Sequence, residues 1–135
     1  MTRLMALVAT IAALLAGPAA ADSCWDHNGS LMRLQAQGEN RWFSYEIPRD
    51  ALRPAGVQRR TVLFSGTNRG DWYSGWASVF SSACPGEPLE YWVEGPVLQN
   101  PLRVVMDGTR EVHRNCRWTG DYATDRLVFT YRSDC

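Results

Sequence analysis

His27 and His113 are the only imidazoles in the chain, and each has an acid close by. In Asp26-His27-Asn28 the carboxylate could set the imidazole tautomer. Adjacent residues on a strand face opposite ways, however, and Asn28-Gly29 is a strong hairpin pair, so His27 reads as a turn or strand-edge residue. Glu111 and His113 can share one strand face, but two ligands fall short of the three or four protein donors a stable metal site uses, and no metal is expected. Glu90 and Glu94 could face one way as a carboxylate pair, although outward positions on a strand are normally solvated. The chain has no G-x-S-x-G elbow, no H-E-x-x-H helix and no glycine loop that would cradle a phosphate. A Cys–His nucleophile needs a free thiol, and Cys24, Cys84, Cys116 and Cys135 are an even set with no pair two to four residues apart. That spacing suits two disulfides rather than a thiolate metal site. Together these residues point to a non-enzymatic protein with no cofactor.

Recognition chemistry is better represented. Trp72 and Trp76 alternate with Tyr73, Ala77 and Val79. Trp42 alternates with Phe43, Tyr45 and Ile47, and Trp92 with Leu89, Tyr91 and Val93. If the aliphatic-rich faces form the core, Trp42, Trp72, Trp76 and Trp92 make an external aromatic platform on which sugar rings could stack, with flanking Arg, Asp and Glu bonding hydroxyls. A second candidate surface is the stretch Arg110–Arg117, where Arg110, Arg114 and Arg117 lie near Glu111 and His113 and are held by Cys116. As a rigid loop it could enter an acidic cleft on a partner, because pre-ordering lowers the entropy cost of binding. Arg49, Arg53, Arg59 and Arg60 make a weaker case of the same kind. Every basic residue is Arg. With basic and acidic residues in balance there is no excess of cations to release counterions from nucleic acid, so nucleic acid is not an expected partner.

Period-2 patterning and frequent turn residues predict an all-β chain. Strands are expected over Leu31–Gln37, Arg41–Ile47, Val57–Gly66, Trp72–Phe80, Leu89–Gly95, Leu102–Asp107 and Arg126–Arg132, with a bend at Gly108 and an irregular extended segment through Cys116. Seven or eight short strands joined by short turns fit one small antiparallel barrel or sandwich stapled by disulfides, with the barrel favoured. A strict up-and-down order puts Cys24, Cys84 and Cys135 at one end and Cys116 at the other. Closure makes the first and last strands neighbours, which would pair Cys24 with Cys135. Cys84 is then left for Cys116, provided that the polar run Thr109–Asn115 leaves regular strand geometry.

Residues 1–21 have the design of a cleaved signal peptide. Arg3 supplies the charged start, Leu4–Leu15 the short apolar run, and Ala19-Ala20-Ala21 the small-residue site. A run of about a dozen residues is too short to span a bilayer, so residues 22–135 are expected as one exported domain, periplasmic or extracellular. The opening Cys24-Trp25-Asp26-His27-Asn28-Gly29-Ser30-Leu31-Met32 resembles one that recurs in small exported bacterial proteins. So do Leu63-Phe64-Ser65-Gly66, Tyr73-Ser74-Gly75, Val79-Phe80 and Tyr91-Trp92-Val93-Glu94-Gly95-Pro96. The resemblance implies a small secreted β-domain and brings no activity, cofactor or site residue. The expectation that follows is an envelope protein that binds a ligand, carbohydrate or peptidoglycan in its specific form, through the exposed Trp residues. The alternative is an inhibitor or partner of an envelope hydrolase acting through Arg110, His113, Arg114 and Arg117. A small-ligand carrier is the third reading, if a barrel keeps an open lumen.

Overall fold

The structure, a computed structural model, describes residues 22–135; the expected signal peptide lies outside the described residues. Eight antiparallel strands follow one another around a closed barrel in sequence order. They are β1 (Ser23–His27), β2 (Ser30–Gln37), β3 (Asn40–Ile47), β4 (Val62–Arg69), β5 (Trp72–Val79), β6 (Leu89–Leu98), β7 (Arg103–Arg114) and β8 (Arg117–Asp134). The barrel of the two expected folds is therefore the one formed. β1 closes it by pairing with β8 from Ser23↔Asp134 to Asp26↔Thr130, so the first and last strands of the barrel wall do not end in open edges.

Alternation decides which residues fill the interior. Trp25, Met32, Leu34, Phe43, Phe64, Tyr73, Val93, Val104, Met106, Leu127 and Phe129 form one buried cluster. Phe43 sits at its centre, stacked on Phe129 with ring centroids 3.9 Å apart and met edge-on by Trp25 at 5.7 Å. Large rings need space, and glycines supply it. Gly66 and Gly75 face each other across β4 and β5, and a Cβ on Gly66 would lie 2.7 Å from the Gly75 Cα and 2.8 Å from the Phe64 ring. Any side chain there would force the two strands apart.

The two ends of the barrel differ. At the base, Gly38-Glu39 and Gly70-Asp71 make short turns, and Cys24–Cys135 joins the first strand to the chain's last residue. At the mouth, Asn28-Gly29 makes a two-residue turn with φ of 47° and 82°, values that favour Asn and Gly. Of the other mouth connections, Asn115-Cys116 at the β7–β8 tip is short and two are long: residues 48–61, which include a 3-10 helix over Asp50–Ala55, and residues 80–88. The second disulfide, Cys84–Cys116, ties the latter loop to the tip of the β7–β8 hairpin.

Several expectations need correction. The pairing of the cysteines is as expected, but Cys84 lies at the mouth with Cys116, because β7 continues past Gly108 and leaves two strands between them; β1, a strand of its own, puts Cys24 at the base. The segment through Cys116 is strand for most of its length: β7 runs to Arg114, past Gly108, and β8 begins at Arg117 rather than Arg126. The expected departure from regular geometry is confined to a register shift between Glu111 and His113 and the left-handed turn at Asn115 and Cys116. From Gly108 to Arg126 these strands pair with each other and with no third strand. They form an arm whose polar sequence follows from having little barrel to bury against. The third expected strand starts at Val62, because Gln58–Thr61 is a turn closed by the Thr61 N–H donating to the Gln58 carbonyl.

Candidate functional site

The mouth holds a cup of about 280 Å³, open to solvent. Its inner wall comes from strand ends: His27 of β1, Ser30 of β2, Tyr45 of β3, Leu63 of β4, Val79 of β5, Tyr91 of β6 and Leu127 of β8. Arg49, Leu52 and Phe80 reach over it from the two long loops. Below the cup, the cross-section is closed by Phe43, Phe129, Met32 and Met106, each fully buried. An eight-stranded barrel has room for side chains or for one small ligand; this one has side chains through its body and space at its mouth.

His27 is 7% exposed. Its ring stacks on Phe129 at 4.4 Å, and Nδ1 lies 2.9 Å from the Val128 carbonyl, to which it donates. That bond leaves Nε2 as an acceptor, 3.4 Å from the Asn28 side-chain amide. Burial lowers the imidazole pKa, and the nearby Arg49 charge adds to the effect, so the ring is neutral at pH 7. The Tyr45 phenol on β3 is buried too, its pKa pushed up to about 12 by burial. Tyr91 donates to Asp125 Oδ2 at 3.1 Å. The same carboxylate takes the Arg110 guanidinium, and burial, followed by the Asp125 charge, raises the Tyr91 pKa. Ser30, 2% exposed, accepts the Arg49 backbone N–H at 2.9 Å and pins that residue at the rim.

The sequence-predicted site residues lie elsewhere. Trp72, Trp76 and Trp92 are on the outside of the barrel, 46%, 53% and 46% exposed. Trp42, Ser65, Trp76 and Trp92 are direct cross-strand partners from β3 to β6, a transverse row on the outer wall. Trp76 and Trp92 meet edge-to-face at 5.3 Å, and Trp92 Nε1 donates to Glu94 at 2.9 Å. Trp42 is half-buried, and Trp72 stands four residues along β5, opposite Pro96. Arg110, His113, Arg114 and Arg117 are all on the arm. Arg110 is turned inward onto Asp125 and His113 lies 3.4 Å from Glu111, whereas Arg114 and Arg117 face each other across the tip with no ion pair among the described residues. No group of three or more His, Cys, Asp or Glu that could hold a metal occurs among the described residues.

Sequence reasoning missed the cup. His27 stands at a strand end beside the turn, as its sequence context implies, but nothing local marks its partners Val128 and Phe129, about a hundred residues away. One signal was present: Asn28-Gly29 makes His27 and Ser30 the closing pair of a hairpin. Two polar residues at such a pair, facing the interior, mark a barrel mouth.

No protein-family model matches the chain, and no curated protein matches it. Among solved structures it is similar to the rhizavidin–biotin complex, with a TM-score of 0.56 over 85% of this chain and 94% of that one, at 15% identity. The likeness is one of fold. Both chains are small closed barrels, and rhizavidin is a barrel seen with biotin.

Proposed function

We propose that this protein is a ligand-binding barrel that takes a small organic molecule into the cup at its mouth. The observation that carries the reading is the contrast within one interior, packed solid around Phe43 yet open above Tyr45, where polar groups converge among Leu52, Leu63, Phe80 and Leu127. Small-molecule sites are concave and set a few oriented polar groups among apolar ones; this cup is concave, with a lining about half polar. The likeness to a barrel seen with biotin supports the same reading. The two disulfides suit an oxidising compartment, and no helix among the described residues is long and apolar enough to cross a membrane.

The test is fluorescence titration with N-phenyl-1-naphthylamine, a neutral probe that brightens in apolar sites. Saturable one-site enhancement that is lost in Val79→Trp, which fills the rim, supports the cup. Enhancement indifferent to that change contradicts it.

A second reading has its own observation, the in-register row of Trp42, Trp76 and Trp92 on the outer wall. A row of rings with Ser65 and Glu94 beside it suits stacking against the faces of a carbohydrate such as peptidoglycan. It requires co-sedimentation with purified peptidoglycan that is saturable and that Trp76→Ala with Trp92→Ala removes. The hydrolase-partner reading rests on Arg114 and Arg117, the arm arginines that make no ion pair among the described residues.

A further inference from the structure

The charges around the cup do not balance. Arg49, Asp125 and Arg126 line it. Asp125 is neutralised by Arg110, and Arg126 makes a bidentate pair with Asp107 at 2.8 and 3.2 Å. Three guanidiniums thus face two carboxylates, and the unmatched one is Arg49, which makes no ion pair among the described residues. Arg49 is exposed to solvent, yet its place over the cup is fixed. Its backbone is held by the buried Ser30 hydroxyl, its stem passes 3.9 Å from where a Gly29 Cβ would stand, and its charge is felt by both His27 and Tyr45 on the cup wall. With His27 neutral, the cup carries one positive charge beside the Tyr45 hydroxyl. That hydroxyl makes no hydrogen bond with the protein's described residues and can donate one.

We propose that the cup selects a small amphipathic organic anion, its apolar body against Leu52, Phe80 and Leu127 and its acidic group bound by Arg49 and the Tyr45 hydroxyl. This rests on the cup being the ligand site and adds the chemical class of the ligand. A guanidinium bonds carboxylate, sulfonate or phosphate oxygens with charge assistance, and more strongly than it bonds a neutral acceptor.

Two probes isolate the charge. 1-Anilinonaphthalene-8-sulfonate and N-phenyl-1-naphthylamine share one ring system, and only the first carries a sulfonate. Titrated into the oxidised protein, the sulfonate is expected to bind more tightly. Arg49→Met should weaken it about tenfold while moving the neutral probe less than about twofold, and Arg49→Lys should restore part of the loss. Equal binding of the two probes, or an Arg49→Met variant that weakens both alike, overturns the anion assignment. If Val79→Trp removes both probes in that case, the cup remains the ligand site and only the ligand class falls. If both probes survive Val79→Trp and are lost in Trp76→Ala with Trp92→Ala, the cup itself falls.

Discussion

The base and the mouth of this barrel are built from the same eight strands, yet one end is solid and the other hollow. At the base, turns as short as two residues bring neighbouring strands together, and the interior is filled by Trp25, Leu34 and Tyr73. Arg41 closes over it, donating to the carbonyls of Gly38 and Asn40. At the mouth, two long loops replace short turns, and the inward positions pass from Phe and Met to His27, Ser30, Tyr45 and Tyr91. Closure of the ladder therefore stabilises the fold without fixing what fills the lumen. Loop length and the polarity of the last inward residue on each strand fix that. The mouth can be hollow because three of these four polar groups are partnered from within: Val128 for His27, Asp125 for Tyr91, the Arg49 backbone for Ser30.

This contrast can be broken end by end. The largest effect belongs to the disulfides. Removing Cys24–Cys135 by Ser substitution frees a 111-residue separation and should cost nearly 5 kcal/mol, about as much as the chain-entropy model assigns to loops of ~100 residues. Removing Cys84–Cys116, which spans 32 residues, should cost less, about 3–4 kcal/mol. The sharper expectation concerns the ligand. Of the two variants still folded in urea titrations, only the second should change probe affinity, because only it tethers a rim loop.

Next comes the core. Phe43→Ala empties the stacked centre and should destabilise by about 3–5 kcal/mol, read as a lower midpoint in urea with an unchanged slope. Smaller again is Asp125→Asn. It leaves the half-buried Arg110 without its anion and weakens the acceptor for Tyr91, at a cost of about 1–3 kcal/mol. If Asp125 only solvated the rim, the midpoint would not move.

The smallest effect is a pH dependence. Burial holds the folded-state pKa of His27 below the ordinary 6.5, so the unfolded chain binds a proton more readily than the native one. Stability from this group is complete above pH 6.5 and is lost as pH falls through that value and towards the folded pKa. Melting temperature should therefore drop between pH 7.5 and 5, and His27→Gln should flatten that part of the profile. An unchanged slope in the variant would assign the acid sensitivity to other groups.

How much of this could be read from sequence depends on how far apart the interacting residues lie. Alternation was enough to turn Tyr73 and Ala77 inward and Trp72 and Trp76 outward on β5, and closure of a meander was enough to pair Cys24 with Cys135. β1 was not legible as a separate strand because a bulge between Cys24 and Trp25 buries two consecutive residues, which breaks the alternation. The start of β8 was hidden for the opposite reason: Arg117–Asp125 makes its pairs within the arm and buries almost nothing, so no hydrophobic period marks it. The cup depended on contacts between strands far apart in the chain. His27 needs Phe129, and Arg49 needs Ser30 and Tyr45, none of which a local pattern records.

The central claim is that ligand binds inside the mouth rather than on the outer wall. The most direct measurement is ¹H–¹⁵N correlation NMR of the oxidised protein titrated with 1-anilinonaphthalene-8-sulfonate, with backbone amides and indole Nε1 resonances followed together. Shifts concentrated at His27, Ser30, Tyr45, Arg49 and Tyr91, with the Trp76 and Trp92 indoles unmoved, are the expected result. Shifts confined to Trp42, Trp76 and Trp92 would contradict the account and move the site to the aromatic row.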